Sequence, residues 1–222
     1  MPQISAAGHA LEYAWIEGSR PTLVFLHEGL GSMRQWRDFP EQVARATGCR
    51  ALVYDRYGYG NSDVLREARV GVEFMHDAAL NELPELLENL NVENPVLVGH
   101  SDGASIALIH AGTYPVRGVA AMAPHVFVEE VCVHSIQEAA RQFETTDLPK
   151  RLAKYHRNSR TTLHLGTNAW LDPAFRARPG AANCGKAAAG SASRSRVGTS
   201  TLVTSAYRIA LTARRSVSAV PG

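Results

Sequence analysis

The decapeptide Pro95-Val96-Leu97-Val98-Gly99-His100-Ser101-Asp102-Gly103-Ala104 joins a short apolar run to a glycine-flanked serine, and helical spacing follows at once. Pro95–Val98 reads as a buried strand, and Ala104–Ala111, with Ile106 and Ile109, reads as a helix. G-x-S-x-G is weak as five isolated letters. Between a strand and a helix it is specific for an exposed nucleophilic serine. The reason is steric: the hydroxyl stands clear of the backbone only in a sharp, strained turn. The positions two before and two after are then pressed against neighbouring chain, where only small residues fit. Gly99, Gly103 and Ala104 meet that demand. The amides that open the helix also point at the site and favour a developing negative charge. A plain glycine-rich turn is the alternative reading.

Outward from this turn, short apolar runs alternate with helical patterns. Leu11–Ile16 alternates and reads as an edge strand. Thr22–Leu26 and Ala51–Tyr54 are continuous apolar runs, as expected for strands covered on both faces, and Val116–Met122 closes the series as another strand. Trp36, Phe39 and Val43 have helical spacing that ends near Gly48. Leu80, Leu83, Leu87 and Leu90 form a second stripe, with Pro84 as a local irregularity. This alternation predicts an α/β fold, a mostly parallel sheet with helices on both faces. In such sheets ligands bind beyond the carboxyl ends of the strands. Val128–Phe143 and Leu148–Tyr155 then read as two successive helices with no strand between them, an excursion placed to cover the site. The expected division is a core over 1–125, a helical cap over 126–176 and an atypical tail over 177–222.

Two more strand ends carry loops of interest. His27-Glu28-Gly29-Leu30-Gly31-Ser32 follows Thr22–Leu26, and its glycines let a backbone N–H face the serine. Two donors, one from Gly29 and one from Asp102, would hold the oxyanion of a tetrahedral intermediate. A phosphate-binding loop is the alternative, but G-x-G-x-x-G is absent and no P-loop lysine follows. Asp55-Arg56-Tyr57-Gly58-Tyr59-Gly60-Asn61-Ser62 follows Ala51–Tyr54 and reads as structural, with Asp55 bonding amides of the turn.

These three segments, in this order and spacing, resemble the α/β-hydrolase fold superfamily over roughly residues 10–172. The pairing of HEGLGS with GHSDG is similar to bacterial hydrolases that cleave small esters, lactones and activated carbon–carbon bonds. The resemblance implies Ser101 as nucleophile, Gly29 and Asp102 as the oxyanion hole, the 126–176 excursion as a substrate-shaping cap, a small-molecule substrate and no cofactor. Glycine usually follows the histidine of the oxyanion loop in that superfamily. Here Glu28 does, and the glycine comes one residue later.

A serine hydroxyl needs a base, and the base works best when a carboxylate orients it. The superfamily supplies both after the serine, acid first and histidine near the C-terminus. Here the last carboxylate is Asp172 and the last histidine His164, so the C-terminal strands read as absent or disrupted. Three accounts stand open. The tail is translated out of frame, a bias that Arg157–Asn168 shares; or the site is rebuilt, with His125 as substitute base and Glu129 or Glu130 orienting it; or the chain is a non-catalytic relative that binds a ligand. His125 also reads simply as a hinge between core and cap. A sheet cut after Val116–Met122 leaves an apolar edge and predicts aggregation and little esterase activity. Thr201–Leu211 would patch that edge as a strand, or form a short helix.

Composition agrees with a globular body. Of 222 residues, 45% are hydrophobic and 20% charged, which excludes wholesale disorder and a disulfide miniprotein. No apolar run approaches the roughly 20 residues a membrane span needs, and no signal peptide is read at the N-terminus, so no membrane partner is expected. From Pro173 onward there is no Asp, Glu or His, while seven Arg and Lys186 give +8; the first 172 residues carry −6. The tail's arginines are scattered, with Tyr207 as its one aromatic after Phe175, so it reads as poorly ordered rather than as a nucleic-acid binder. Cys49, Cys132 and Cys184 show no paired or metal spacing, which fits a reducing cytoplasm. HEGLG lacks the second histidine of a zinc motif, and no metal is expected.

Overall fold

The computed structural model describes residues 1–66, 71–126 and 128–176. Its strands are β1 (Gln3–Ala6), β2 (His9–Ile16), β3 (Ser19–Leu26), β4 (Cys49–Tyr54), β5 (Val96–His100) and β6 (Gly118–Met122). They form one sheet in the order β1-β2-β4-β3-β5-β6. β4, β3, β5 and β6 run parallel to one another, while β1 and β2 add an antiparallel hairpin whose β2 pairs antiparallel with β4. This is the α/β-hydrolase fold that the motifs predict.

Helices cover both faces. α1 (Phe39–Thr47) ends at Gly48, whose φ of 70° is the left-handed cap that glycine supplies most readily. α1 packs on the face where Leu23, Phe25, Ala51, Val53, Val96 and Val98 emerge. The alternate residues, among them Val24, Leu26, Leu52, Tyr54 and Leu97, point to the opposite face. There they meet α3 (Leu83–Asn89) and α4 (Asp102–Ala111). The strict period of two is why these strands read as unbroken apolar runs: both faces are buried. α3 is preceded by α2 (Phe74–Asp77) and a π turn (Ala78–Glu82). Pro84 explains the widened turn, because it lacks an N–H and its ring crowds the carbonyl four residues back.

One expectation is corrected: Leu11–Ile16 is not the sheet edge, because β1 pairs along β2 through a turn at Ala7 and Gly8 with φ of 51° and 77°. Arg157–Asn168 falls almost wholly within a helix. α7 (Ser159–Trp170) begins at Asn158, whose side chain accepts the Thr161 N–H at 3.2 Å, and it buries Leu163, Leu165, Ala169 and Trp170. It follows α5 (Glu130–Thr145) and α6 (Leu148–Leu152), and α8 (Pro173–Arg176) closes the described chain. Phe175 in α8 packs on Trp170 at 4.9 Å. Among the described residues the sheet ends at β6, and no helix is long and apolar enough to cross a membrane. The expected disordered tail, the expected patch at Thr201–Leu211 and the reading frame past Arg176 concern residues outside the described ones.

Glu82 is the least comfortable charge in this core. Burial pushes its carboxyl up to about 7, against the opposing pull of the Tyr57 N–H and the Arg56 charge. Oε2 accepts that N–H at 3.0 Å, while Oε1 has no hydrogen-bond partner among the described residues. The folded chain therefore holds a proton between about pH 4.5 and 7 that the unfolded chain releases, so Glu82 lowers stability as pH rises through that window. Glu82→Gln keeps the acceptor and removes the charge. Urea unfolding should show this variant more stable at pH 8, by about 1–3 kcal/mol, and no more stable at pH 4.

Candidate active site

The corner between β5 and α4 is as sharp as the motif demands. Ser101 has φ 54° and ψ −119°, a conformation that L residues adopt only under constraint. Its N–H donates to the Met122 carbonyl at 2.9 Å, which ties the corner to the end of β6. A Cβ on Gly103 would overlap the Leu26 carbonyl, and one on Gly99 would overlap the Gly103 carbonyl. The two glycines are thus required by contact with neighbouring backbone.

From β6 the chain turns through Ala123, at φ 50°, and Pro124 to His125. His125 Nε2 lies 2.8 Å from Ser101 Oγ. The histidine's backbone is latched by Ser105, whose Oγ accepts the His125 N–H at 2.8 Å and donates to the His125 carbonyl at 3.2 Å. Ser105 lies one helical turn after Ser101, so both hydroxyls serve the same loop. Trp170 packs against the His125 ring at 4.6 Å and near-perpendicular, and Cys132 Sγ stands 3.9 Å from Nδ1. Glu129 and Glu130 stand at the start of α5, and Glu129's backbone carbonyl accepts the N–H groups of Cys132 and Val133. The carboxylate that comes within 4 Å of the ring is that of Asp102, with Oδ1 3.8 Å from Nε2.

Asp102 is 3% exposed, and burial raises its carboxyl above the ordinary value although the charges of Arg56 and His125 and a hydrogen bond from Trp170 oppose that. Its side chain lies over the loop that follows β3: a Cβ on Gly29 would stand 2.8 Å from Asp102 Oδ2. The main-chain N–H of Asp102 opens α4 and so lies outside the helical ladder. Gly29, Ser101, Asp102 and His125 line one cavity of about 290 Å³, whose other walls include Leu30, Ile136, Leu163 and Trp170. The structure therefore gathers all four residues singled out in the sequence. It adds Ser105, Cys132 and Trp170, which sequence reasoning missed. The signal for Ser105 was its spacing of four from Ser101; the other two meet the site only through tertiary packing.

The loop that follows β3 is held from below. Arg56, 2% exposed, donates from Nη2 to the carbonyls of His27 at 3.2 Å and Glu28 at 3.0 Å, with its guanidinium over the Tyr59 ring at 4.4 Å. His27 Nδ1 bonds the Glu28 carbonyl at 2.8 Å, and burial followed by the Arg56 charge drives its pKa well below the ordinary value, so the ring is neutral. Glu28 reaches His100 at 3.4 Å; burial works to raise its pKa, but the His100 bond, the Glu28 main-chain N–H and the charges of His100 and Arg56 together outweigh it and lower the pKa, so the carboxylate stays charged. Asp55 spans two loops, accepting from Met33 N–H at 2.7 Å and Asn61 N–H at 3.0 Å, the structural role its position suggested. Among the described residues, no three His, Cys, Asp or Glu side chains are grouped to hold a metal ion.

Comparison with known proteins agrees with this architecture. The chain belongs to the alpha/beta hydrolase family, whose model matches residues 23–218. It is 31% identical over 100 residues to a proline iminopeptidase of Lactobacillus delbrueckii subsp. lactis, a match covering 45% of this chain and 34% of that protein. It is 31% identical over 103 residues to an sn-1-specific diacylglycerol lipase of Mus musculus, covering 46% and 32%. The matches thus span about a third of these curated relatives. Among solved structures, DBJA (mutant dbja delta) superposes with a TM-score of 0.63 at 19% identity, covering 85% of this chain and 75% of that one. A carboxylesterase structure from Nitrososphaera gargenis gives 0.52 at 20% identity, covering 75% and 66%. Both likenesses concern the fold.

The contact at Gly103 makes a direct test of the corner. Gly103→Ala should lower the unfolding free energy by about 2–4 kcal/mol in urea titration, because backbone rather than a pliable side chain meets the new methyl. A loss below about 0.5 kcal/mol would mean that the corner is not built this way.

Proposed function

We propose that the chain hydrolyses a small carboxylic ester, lactone or activated carbon–carbon bond through an acyl-enzyme on Ser101, with His125 as the base. The 2.8 Å approach of Ser101 Oγ to His125 Nε2 carries this reading. For an ester the chemistry runs as follows. Oγ attacks the carbonyl carbon while its proton passes to Nε2. The carbonyl oxygen takes the negative charge and faces the main-chain N–H groups of Gly29 and Asp102. Collapse expels the alcohol, which takes the proton from Nε2, and leaves the acyl group on Oγ. Water then repeats the sequence, giving its proton to Nε2, and the carboxylic acid departs as Oγ recovers a proton.

Several observations support this assignment. The strained corner leaves the hydroxyl at the cavity, and the Ser105 latch fixes the histidine from the opposite side. Arg56 offsets the charge of the Asp102 carboxylate, which otherwise opposes an oxyanion beside it. The apolar walls formed by Leu30, Ile136 and Leu163 suit a short hydrocarbon acyl or alcohol group. α5 to α8 serve as the cap, with the boundary at residues 125 and 126. An iminopeptidase and a lipase among the relatives both hydrolyse at an acyl carbon, in keeping with this reaction class. No step calls for a cofactor. With Cys132 Sγ rather than a carboxylate 3.9 Å from Nδ1 among the described residues, turnover is expected to be slow.

A fluorophosphonate probe and p-nitrophenyl acetate test the proposal together. The probe should label Ser101; Ser101→Ala should abolish labelling, and His125→Asn should slow labelling and hydrolysis at least about 100-fold. A folded chain whose Ser101 stays unlabelled would instead be a ligand-binding member of the same scaffold.

A further inference from the structure

We infer that Cys132 is the third member of the Ser101–His125 pair: a positioning residue whose sulfur occupies the place from which a carboxylate would orient the base. This rests on the reading of Ser101 and His125 given above.

The argument begins with the tautomer. Ser101 Oγ lies 2.8 Å from His125 Nε2, so in the neutral ring that receives the serine proton Nε2 has a free lone pair and Nδ1 bears the hydrogen. The ring therefore directs an N–H toward whatever faces Nδ1. That group is Cys132 Sγ, at 3.9 Å. Asp102, the nearby carboxylate, cannot take this role, because its Oδ1 approaches Nε2 and not Nδ1. Trp170 packs on the ring and the Ser105 latch holds its backbone, so the two nitrogens are kept on their respective sides.

Cys132 lies in the first turn of α5 and lines the same cavity as Ser101. A thiol is a weak acceptor, and here burial, followed by the charge of Glu129, raises its pKa. The sulfur is therefore neutral at ordinary pH. It sets the direction of the ring but adds little stabilisation to the imidazolium that forms when the serine proton is taken. A carboxylate at this position would do both. The reach is close: an aspartate carboxylate oxygen lies about 0.6 Å farther from Cβ than a cysteine sulfur does, which brings a 3.9 Å approach to about 3.3 Å, the long end of hydrogen-bond range.

The test is a gain of function. Cys132→Asp should raise kcat for p-nitrophenyl acetate at least about tenfold with KM changed less than twofold, because the new charge acts on the proton transfer and not on substrate binding. Cys132→Ser, which keeps an acceptor, should retain at least half of the parent kcat, and Cys132→Val, of similar size without one, should lose at least about fivefold with KM unchanged. The fluorophosphonate labelling rate of Ser101 should follow the same order. A purely structural role for Cys132 produces no gain in the aspartate variant. If Ser101 labels and His125→Asn slows labelling at least about 100-fold, yet the aspartate variant, shown folded by circular dichroism, is no faster than the parent, the assignment of Cys132 is wrong and the serine–histidine pair stands. If Ser101 does not label in the parent or any variant, the pair and the inference fall together.

Discussion

The left-handed backbone of Ser101 is the constraint from which the rest of the site follows. A serine in this conformation costs about 1–3 kcal/mol unless its surroundings hold it. They do so through three contacts at once. Gly103 lies against the Leu26 carbonyl, Gly99 against the turn of α4, and the Ser101 N–H is bonded to Met122. Each contact joins the corner to a different strand or helix, so β3, β5, β6 and α4 must all be in register before the hydroxyl is presented. The apolar strands beneath, buried on both faces, supply the rigidity.

Buried charge organises the second half of the site. Arg56 lies under the loop that follows β3, where it donates to two carbonyls and faces the Asp102 carboxylate. Glu82 and Asp55, with carboxyl groups pushed by burial to about 7 and about 6, sit in the same layer. Together these groups hold the ends of β3 and β4 in a conformation that backbone pairing alone does not impose. Such groups trade stability for placement: each is costly to bury, and each fixes a loop that would otherwise be free to reorganise.

Much of this was legible in the residues themselves. The apolar runs at Thr22–Leu26, Ala51–Tyr54 and Pro95–Val98 fall inside β3, β4 and β5 apart from Pro95. The elbow was legible because its steric demand is local: strand, small residue, serine, small residue and helix lie within ten positions. Asp55 was legible for the same reason, since its turn partner Asn61 is six residues away. β1 was missed because four residues, Gln-Ile-Ser-Ala, are too short for alternation to stand out. α7 was not read as a helix because Thr161, Thr162, Gly166 and Asn168 weaken helix propensity, and the burial of Leu163, Leu165 and Trp170 overrides it.

The sequence by itself determined the class of architecture and the identity of the candidate nucleophile, because both follow from periodicity and from sterics within a few adjacent residues. Tertiary structure alone decided what surrounds that serine. His125, Ser105, Cys132 and Trp170 are spread over 66 positions, and their meeting depends on how β6 sits beside β5 and how α5 and α7 fold back over the strand ends. A hydrogen bond of 2.8 Å between residues 101 and 125 leaves no periodic trace, since it is made by the packing of whole elements and not by the chain that links them.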